Sequence, residues 1–95
     1  MAKMACASHI LLNTPQQAKS VAKQLDKGAN FAQLAKKHSK CPSAKKGGDL
    51  GEFRKGTMVA AFDKAVFSNG SEDKRYIGPI KTKFGFHLIQ VLYKT

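Results

Sequence analysis

Lys40-Cys41-Pro42-Ser43-Ala44-Lys45-Lys46-Gly47-Gly48-Asp49-Leu50-Gly51-Glu52-Phe53 combines a thiol before a proline with two glycine-flanked residues. A proline disfavours helical geometry in the residue before it, so Cys41 should lie beyond the end of any helix that precedes it. Ser43 to Lys46 can make one helical turn. Gly47-Gly48 and Gly51 let the backbone bend, or approach another chain segment closely, around Asp49 and Leu50. Leu50–Phe53 then reads as a short, irregular edge strand, followed by a turn at Arg54-Lys55-Gly56. Met58–Phe67 reads as a helix on which Met58 and Phe62 form a same-face pair, with Val59 and Val66 as a neighbouring apolar stripe.

Upstream of this stretch, Ala5-Cys6-Ala7-Ser8-His9-Ile10-Leu11-Leu12 is strand-like. Alternation puts His9 and Leu11 on one face and Ile10 and Leu12 on the other. Apolar residues on both faces predict a central strand, with His9 inside the fold or on the floor of a cleft. Thr14-Pro15-Gln16-Gln17 reads as a helix start: Thr14 is the N-cap, Pro15 takes the first helical position and Gln17 completes a capping box. This helix should stop at Gly28, burying Ala18, Val21, Ala22 and Leu25. A second helix begins at Asn30 with Phe31, Leu34 and Ala35 inward; His38, at its end, reads as structural.

Downstream, Ser68–Arg75 is polar and turn-rich and reads as an exposed loop. Tyr76–Thr82 and Phe86–Leu92, joined near Lys83-Phe84-Gly85, carry a hairpin signal, with His87, Ile89 and Val91 on one face. The order strand–helix–helix–strand–helix–hairpin predicts one α+β sheet packed by helices.

The bulk numbers narrow the class. Ninety-five residues with 42% hydrophobic content predict one small soluble domain spanning residues 1–95. No apolar run approaches the roughly 20 residues needed to cross a bilayer, and no long apolar segment follows Met1 to act as an export signal. Cys6 and Cys41 are too few for a disulfide framework and read as reduced thiols. A cytoplasmic protein is the expectation. Seventeen Lys and Arg against six Asp and Glu give a net charge of +11, which favours anionic partners.

Three separated motifs resemble the parvulin-type peptidyl-prolyl cis/trans isomerases. They are Ser8-His9-Ile10-Leu11, the segment from Cys41-Pro42-Ser43 through Gly47–Phe53 to Met58 and Phe62, and Gly78-Pro79 with Thr82–His87. The resemblance runs from about Ala5 to Tyr93 and looks like a minimal, single-domain parvulin. It implies a four-stranded antiparallel sheet flanked by helices in the order βα3βαβ2, with first and last strands adjacent at the centre. It also implies roles. His9 and His87 would face each other at the base of a catalytic cleft, Thr82 would hydrogen-bond within that network, and Cys41 would stand beside the imide. Leu50, Met58 and Phe62 would form the proline pocket, with Phe53 supporting it. No cofactor or metal is implied.

The chemistry fits such residues. Rotation about an X–Pro bond breaks no covalent bond but crosses a barrier of about 18–20 kcal/mol. An apolar slot can lower it by binding the twisted imide better than either planar form. Cys41 then reads as a polarizable wall rather than a nucleophile, since no acyl intermediate is needed. Phosphate-directed parvulins carry a basic cluster after the first strand. Here that loop is Asn13-Thr14-Pro15-Gln16-Gln17, without Lys or Arg, so the expected preference is for an apolar or uncharged residue before proline.

Two rival readings have weaker support. A zinc site from Cys6, Cys41, His9 and His87 uses permitted ligand types but lacks close-spaced ligand pairs. A basic binding module would use Lys19, Lys23, Lys27, Lys36, Lys37, Lys40, Lys45 and Lys46 against an anionic membrane, acidic proteins or nucleic acid. Expected partners are therefore proline-containing peptides and unfolded or nascent proteins, met by a monomer, with peripheral association to an anionic membrane as an addition.

Overall fold

The computed structural model describes residues 3–68 and 75–94. Strands β1 (Met4–Leu12), β2 (Asp49–Arg54), β3 (Ile77–Thr82) and β4 (Gly85–Lys94) form one antiparallel sheet in the order β2-β1-β4-β3. Helices α1 (Pro15–Asp26) and α2 (Phe31–His38) precede a five-residue 3-10 helix at Pro42–Lys46, and α3 (Ala60–Val66) follows β2. This is the α+β architecture expected, with β1 and β4 side by side at its centre.

The period-2 pattern of β1 splits the interior into two apolar layers. Ile10 and Leu12, with Leu88 of β4, pack against Ala18, Val21 and Leu25 of α1 and Phe31 and Leu34 of α2. Ala5 and Ala7, with Ile89 and Val91, turn the other way, toward Phe53 of β2 and Phe62 and Val66 of α3. His9 and His87 belong to this second face and are buried.

Local chemistry sets the helix ends. Thr14 caps α1 by accepting from the Gln17 N–H at 3.2 Å. The Gln17 side chain accepts from the Asn13 N–H at 3.2 Å, one residue before the partner a capping box would use. At the other end of α1, the Arg75 guanidinium donates to the carbonyls of Leu25 and Asp26 at 3.1 and 3.2 Å, and the Tyr76 hydroxyl donates to the Asp26 carboxylate at 2.9 Å. The guanidinium supplies a donor to the Asp26 carbonyl and a second one to the Leu25 carbonyl, which also accepts from the Gly28 N–H at 2.9 Å, and the three bonds tie the start of the hairpin to α1. The rest of the expected polar loop, residues 69–74, lies outside the described residues.

The third helix is shorter than expected. Met58 sits in a bend and Val59, with φ −58° and ψ 150°, caps the helix, whose first helical bond runs from the Asp63 N–H to the Val59 carbonyl at 2.9 Å. The Asp63 carboxylate reaches back to accept from the Gly56 N–H at 2.7 Å. This holds the Arg54–Val59 connection against the first turn instead of letting it join the helix.

Gly48 fixes how the cysteine loop meets β1. Its carbonyl accepts from the His9 N–H at 3.0 Å, its φ is +84°, and a Cβ there would run into the His9 carbonyl oxygen. Gly28 has a similar φ of +93° with no atom within 4 Å of such a Cβ. Gly48→Ala should therefore lose about 2 kcal/mol or more, a fall in Tm on the order of 10 °C. Gly28→Ala should lose only about 1 kcal/mol, from backbone strain alone. Thermal unfolding of the two variants checks this, and equal losses would refute the crowding argument.

Candidate active site

Leu11 of β1 is paired with His87 of β4 and His9 with Ile89, so the two histidines are diagonal neighbours on one face of adjacent strands. Their Nδ1 atoms lie 3.0 Å apart, with the rings nearly parallel at 16°. His87 Nε2 lies 2.7 Å from Thr82 Oγ1, which also accepts from the Phe84 N–H at 3.2 Å. A chain of polar contacts thus runs from β1 through β4 to the β3–β4 turn.

Two neutral imidazoles meeting through Nδ1 share one proton, and this leaves two arrangements. In one, His87 donates to His9 and accepts at Nε2 from the Thr82 hydroxyl. In the other, His9 donates to His87, and His87 Nε2–H donates to Thr82. Both keep the rings uncharged. Burial, and secondarily the neighbouring His87, pushes His9 down to about 4 from 6.5, and burial lowers His87 as well.

Phe62 closes the base of the site. Its ring meets both imidazoles edge-on, with centroids 5.6 Å from each. Phe53 stands behind it at 6.3 Å, backed in turn by Phe67 at 6.1 Å. Above this floor opens a hollow of about 390 Å³. Of the eight residues picked out for catalysis and substrate, His9, Cys41, Leu50, Met58, Phe62 and His87 line it. Thr82 and Phe53 stand behind it, touching His87 and Phe62. Met58 reaches the hollow from the bend before α3, not from the helix.

Sequence reasoning missed five lining residues: Leu11, Pro42, Val59, Phe84 and, as a wall residue, Lys40. Leu11 was legible in part, since it shares a strand face with His9. Phe84 was not, because its place in the turn of an apolar hairpin gave no hint that it would be 59% exposed at the mouth. Ser39 was missed too. Its hydroxyl oxygen accepts from the Leu11 N–H at 3.0 Å and the Cys41 N–H at 3.3 Å, while the Lys40 N–H donates to the Leu11 carbonyl at 2.8 Å. Together these stitch the cysteine loop to the end of β1.

The remaining lysines of the basic set are exposed on other surfaces. Lys19 and Lys23 border a groove between α1 and Tyr76–Pro79, Lys36 and Lys37 end α2, and Lys45 and Lys46 end the 3-10 helix. Both cysteines are free. Among the described residues, no three His, Cys, Asp or Glu side chains converge as metal ligands would.

Comparison with known proteins identifies the family and the fold. A family profile described as "PPIC-type PPIASE domain" matches residues 1–95. The chain is 51% identical over 86 residues to the foldase protein PrsA of Exiguobacterium sibiricum, covering 90% of itself and 28% of that protein. Among solved structures, the crystal structure of PrsA from Bacillus subtilis superposes with a TM-score of 0.87 at 42% identity, covering 95% of this chain and 35% of that one. The solution structure of NmPin, the parvulin of Nitrosopumilus maritimus, gives a TM-score of 0.82 at 36% identity, with 98% and 99% covered. The chain thus spans under a third of the curated foldase's length and nearly all of NmPin's.

Proposed function

The chain belongs to the PPIC-type peptidyl-prolyl isomerases, the parvulins, and from that premise we propose that residues 1–95 work as one isomerase domain on X–Pro bonds of peptides and unfolded proteins. The observation that carries this reading is the apolar hollow set directly against the paired imidazoles. In this reading Met58, Leu50 and Phe62 clamp the proline ring and exclude the water that stabilises the planar, polar amide. Met58, unbranched and polarizable, adapts to varied neighbours of the ring. Cys41, half-buried on the wall, tunes the field at the rotating carbonyl. The histidine pair, set by Thr82, fixes the shape and neutral charge of the floor. The slot then favours the half-turned imide, and the bond rotates without any covalent step.

The test is a prolyl-isomerisation assay on a peptide series differing only before proline. Apolar and uncharged residues should be turned fastest. Phosphoserine should give no gain, because Asn13–Gln17 supplies no cation to hold a phosphate. A large gain from phosphoserine would overturn that preference, and no acceleration of any peptide would overturn the isomerase reading itself.

We propose in addition that the domain acts as a monomer and in a reducing compartment such as the cytoplasm; the two free thiols support the compartment alone. Peripheral contact of the lysine-rich exterior with an anionic membrane rests on charge alone. Co-sedimentation with anionic vesicles at two salt concentrations tests it, and absent or salt-independent binding leaves the charge as a solvated face.

A further inference from the structure

We propose that Lys40 makes this site selective for peptides carrying an acidic side chain one residue beyond the X–Pro pair. The inference rests on the isomerase reading and names a substrate class for it. Lys40 is the one formally charged group among the described residues that line the hollow, and no carboxylate lines it. Its side chain is exposed, and no described carboxylate pairs with its ammonium. The backbone beneath it is fixed: the Lys40 N–H donates to the Leu11 carbonyl at 2.8 Å, and the next N–H donates to Ser39 Oγ at 3.3 Å. The lysine arm therefore swings from a fixed point beside Cys41.

A second cation stands at the same mouth. Lys83 Nζ lies 5.3 Å from the centroid of the exposed Phe84 ring, which itself lines the hollow. The interior walls are Leu50, Met58 and Phe62, so they accept the proline and exclude charge. The cations sit where the peptide leaves the slot. An extended peptide advances about 3.3–3.6 Å per residue, so a side chain one residue outside the X–Pro pair falls within reach of a lysine arm. A carboxylate there gains attraction without entering the apolar floor. A basic side chain there meets two like charges.

The experiment must separate this local effect from the pull of a +11 protein on any acidic peptide. Peptides carry Glu, Gln or Lys either one residue after the proline or two residues before it. The enzymes are wild type, Lys40→Glu and Lys3→Glu. Lys3 precedes β1 and lies eight residues of extended chain from Leu11, about 26 Å, well beyond the screening length of about 8 Å at physiological salt. Both variants change net charge equally.

The expected result for wild type is a three- to tenfold higher kcat/KM for Glu than for Gln at one of the two positions. The difference should shrink as salt rises, and the Lys peptide should be slowest. Lys40→Glu should reverse the order, and Lys3→Glu should preserve it. A Glu preference equal at both positions and weakened alike by both variants overturns the proposal in favour of net charge. Rapid turnover of the Gln peptide with no gain from Glu also overturns it while leaving the isomerase reading intact. No acceleration of the Gln peptide overturns both.

Discussion

Met58→Ala should lower kcat/KM for an X–Pro peptide by ten- to a hundredfold while the protein stays folded. The thioether lines the hollow but is only half-buried in the free protein, so truncation removes contact with the substrate ring more than contact with the core. Burying a side chain of this size is worth about 1.5–3 kcal/mol, and each 1.4 kcal/mol lost from the transition state is tenfold in rate. The stability cost should stay near 1 kcal/mol. Phe62→Ala should do more on both counts. Its ring is 3% exposed and packs against both imidazoles and Phe53, so its loss should cost about 3–5 kcal/mol of stability and at least a hundredfold in kcat/KM. Phe62→Leu keeps most of the volume and should recover stability before activity. Isomerisation rates and urea midpoints on the same three proteins check both effects. A Met58→Ala enzyme working at the wild-type rate would remove the hollow from the chemistry.

How far these residues could be found without coordinates depends on what each one relies on. His9 and His87 were legible because strand alternation fixes their face, and the resemblance brings the two strands together. Cys41 and Leu50 come to the site through the resemblance: the proline keeps Cys41 out of a helix, and the glycine pair only permits the bend that brings Leu50 back. Met58 lines the hollow, but from the bend before α3, where its spacing predicts a helix. An apolar pair four residues apart satisfies a helix, yet the carboxylate–amide bond from Asp63 to Gly56 delays the helix until Ala60. Lys40, Phe84 and Ser39 depend on long-range proximity that periodicity does not encode. Ser39 joins the cysteine loop to β1 because Leu11, 28 residues earlier, presents an amide to the same hydroxyl that accepts from Cys41. Arg75 and Tyr76 likewise act on the end of α1, some 50 residues away.

The histidine pair should make the fold acid-sensitive well above the range in which exposed carboxylates titrate. Well above pH 6.5 both imidazoles are neutral whether the chain is folded or not, and they add no pH dependence. Below it the unfolded chain takes up protons that the buried pair refuses, so stability falls with pH until His9 itself protonates near 4. A displacement from 6.5 to about 4 corresponds to on the order of 3 kcal/mol for His9, and His87 shifts the same way. The cause is local: burial withdraws water from both rings, the neighbouring His87 adds to the effect on His9, and Phe62 packs against each imidazole. Urea midpoints should therefore drop steadily between pH 6.5 and 4, and the assigned His9 ring proton resonance should stay at its neutral position down to about pH 5. Catalysis should be flat from pH 8 to 6 and decline below that only with the folded fraction, because a pair that stays neutral keeps the slot's floor unchanged. A His9 midpoint near 6.5, or a rate that falls while the protein remains folded, would show that the pair takes up charge as the slot works.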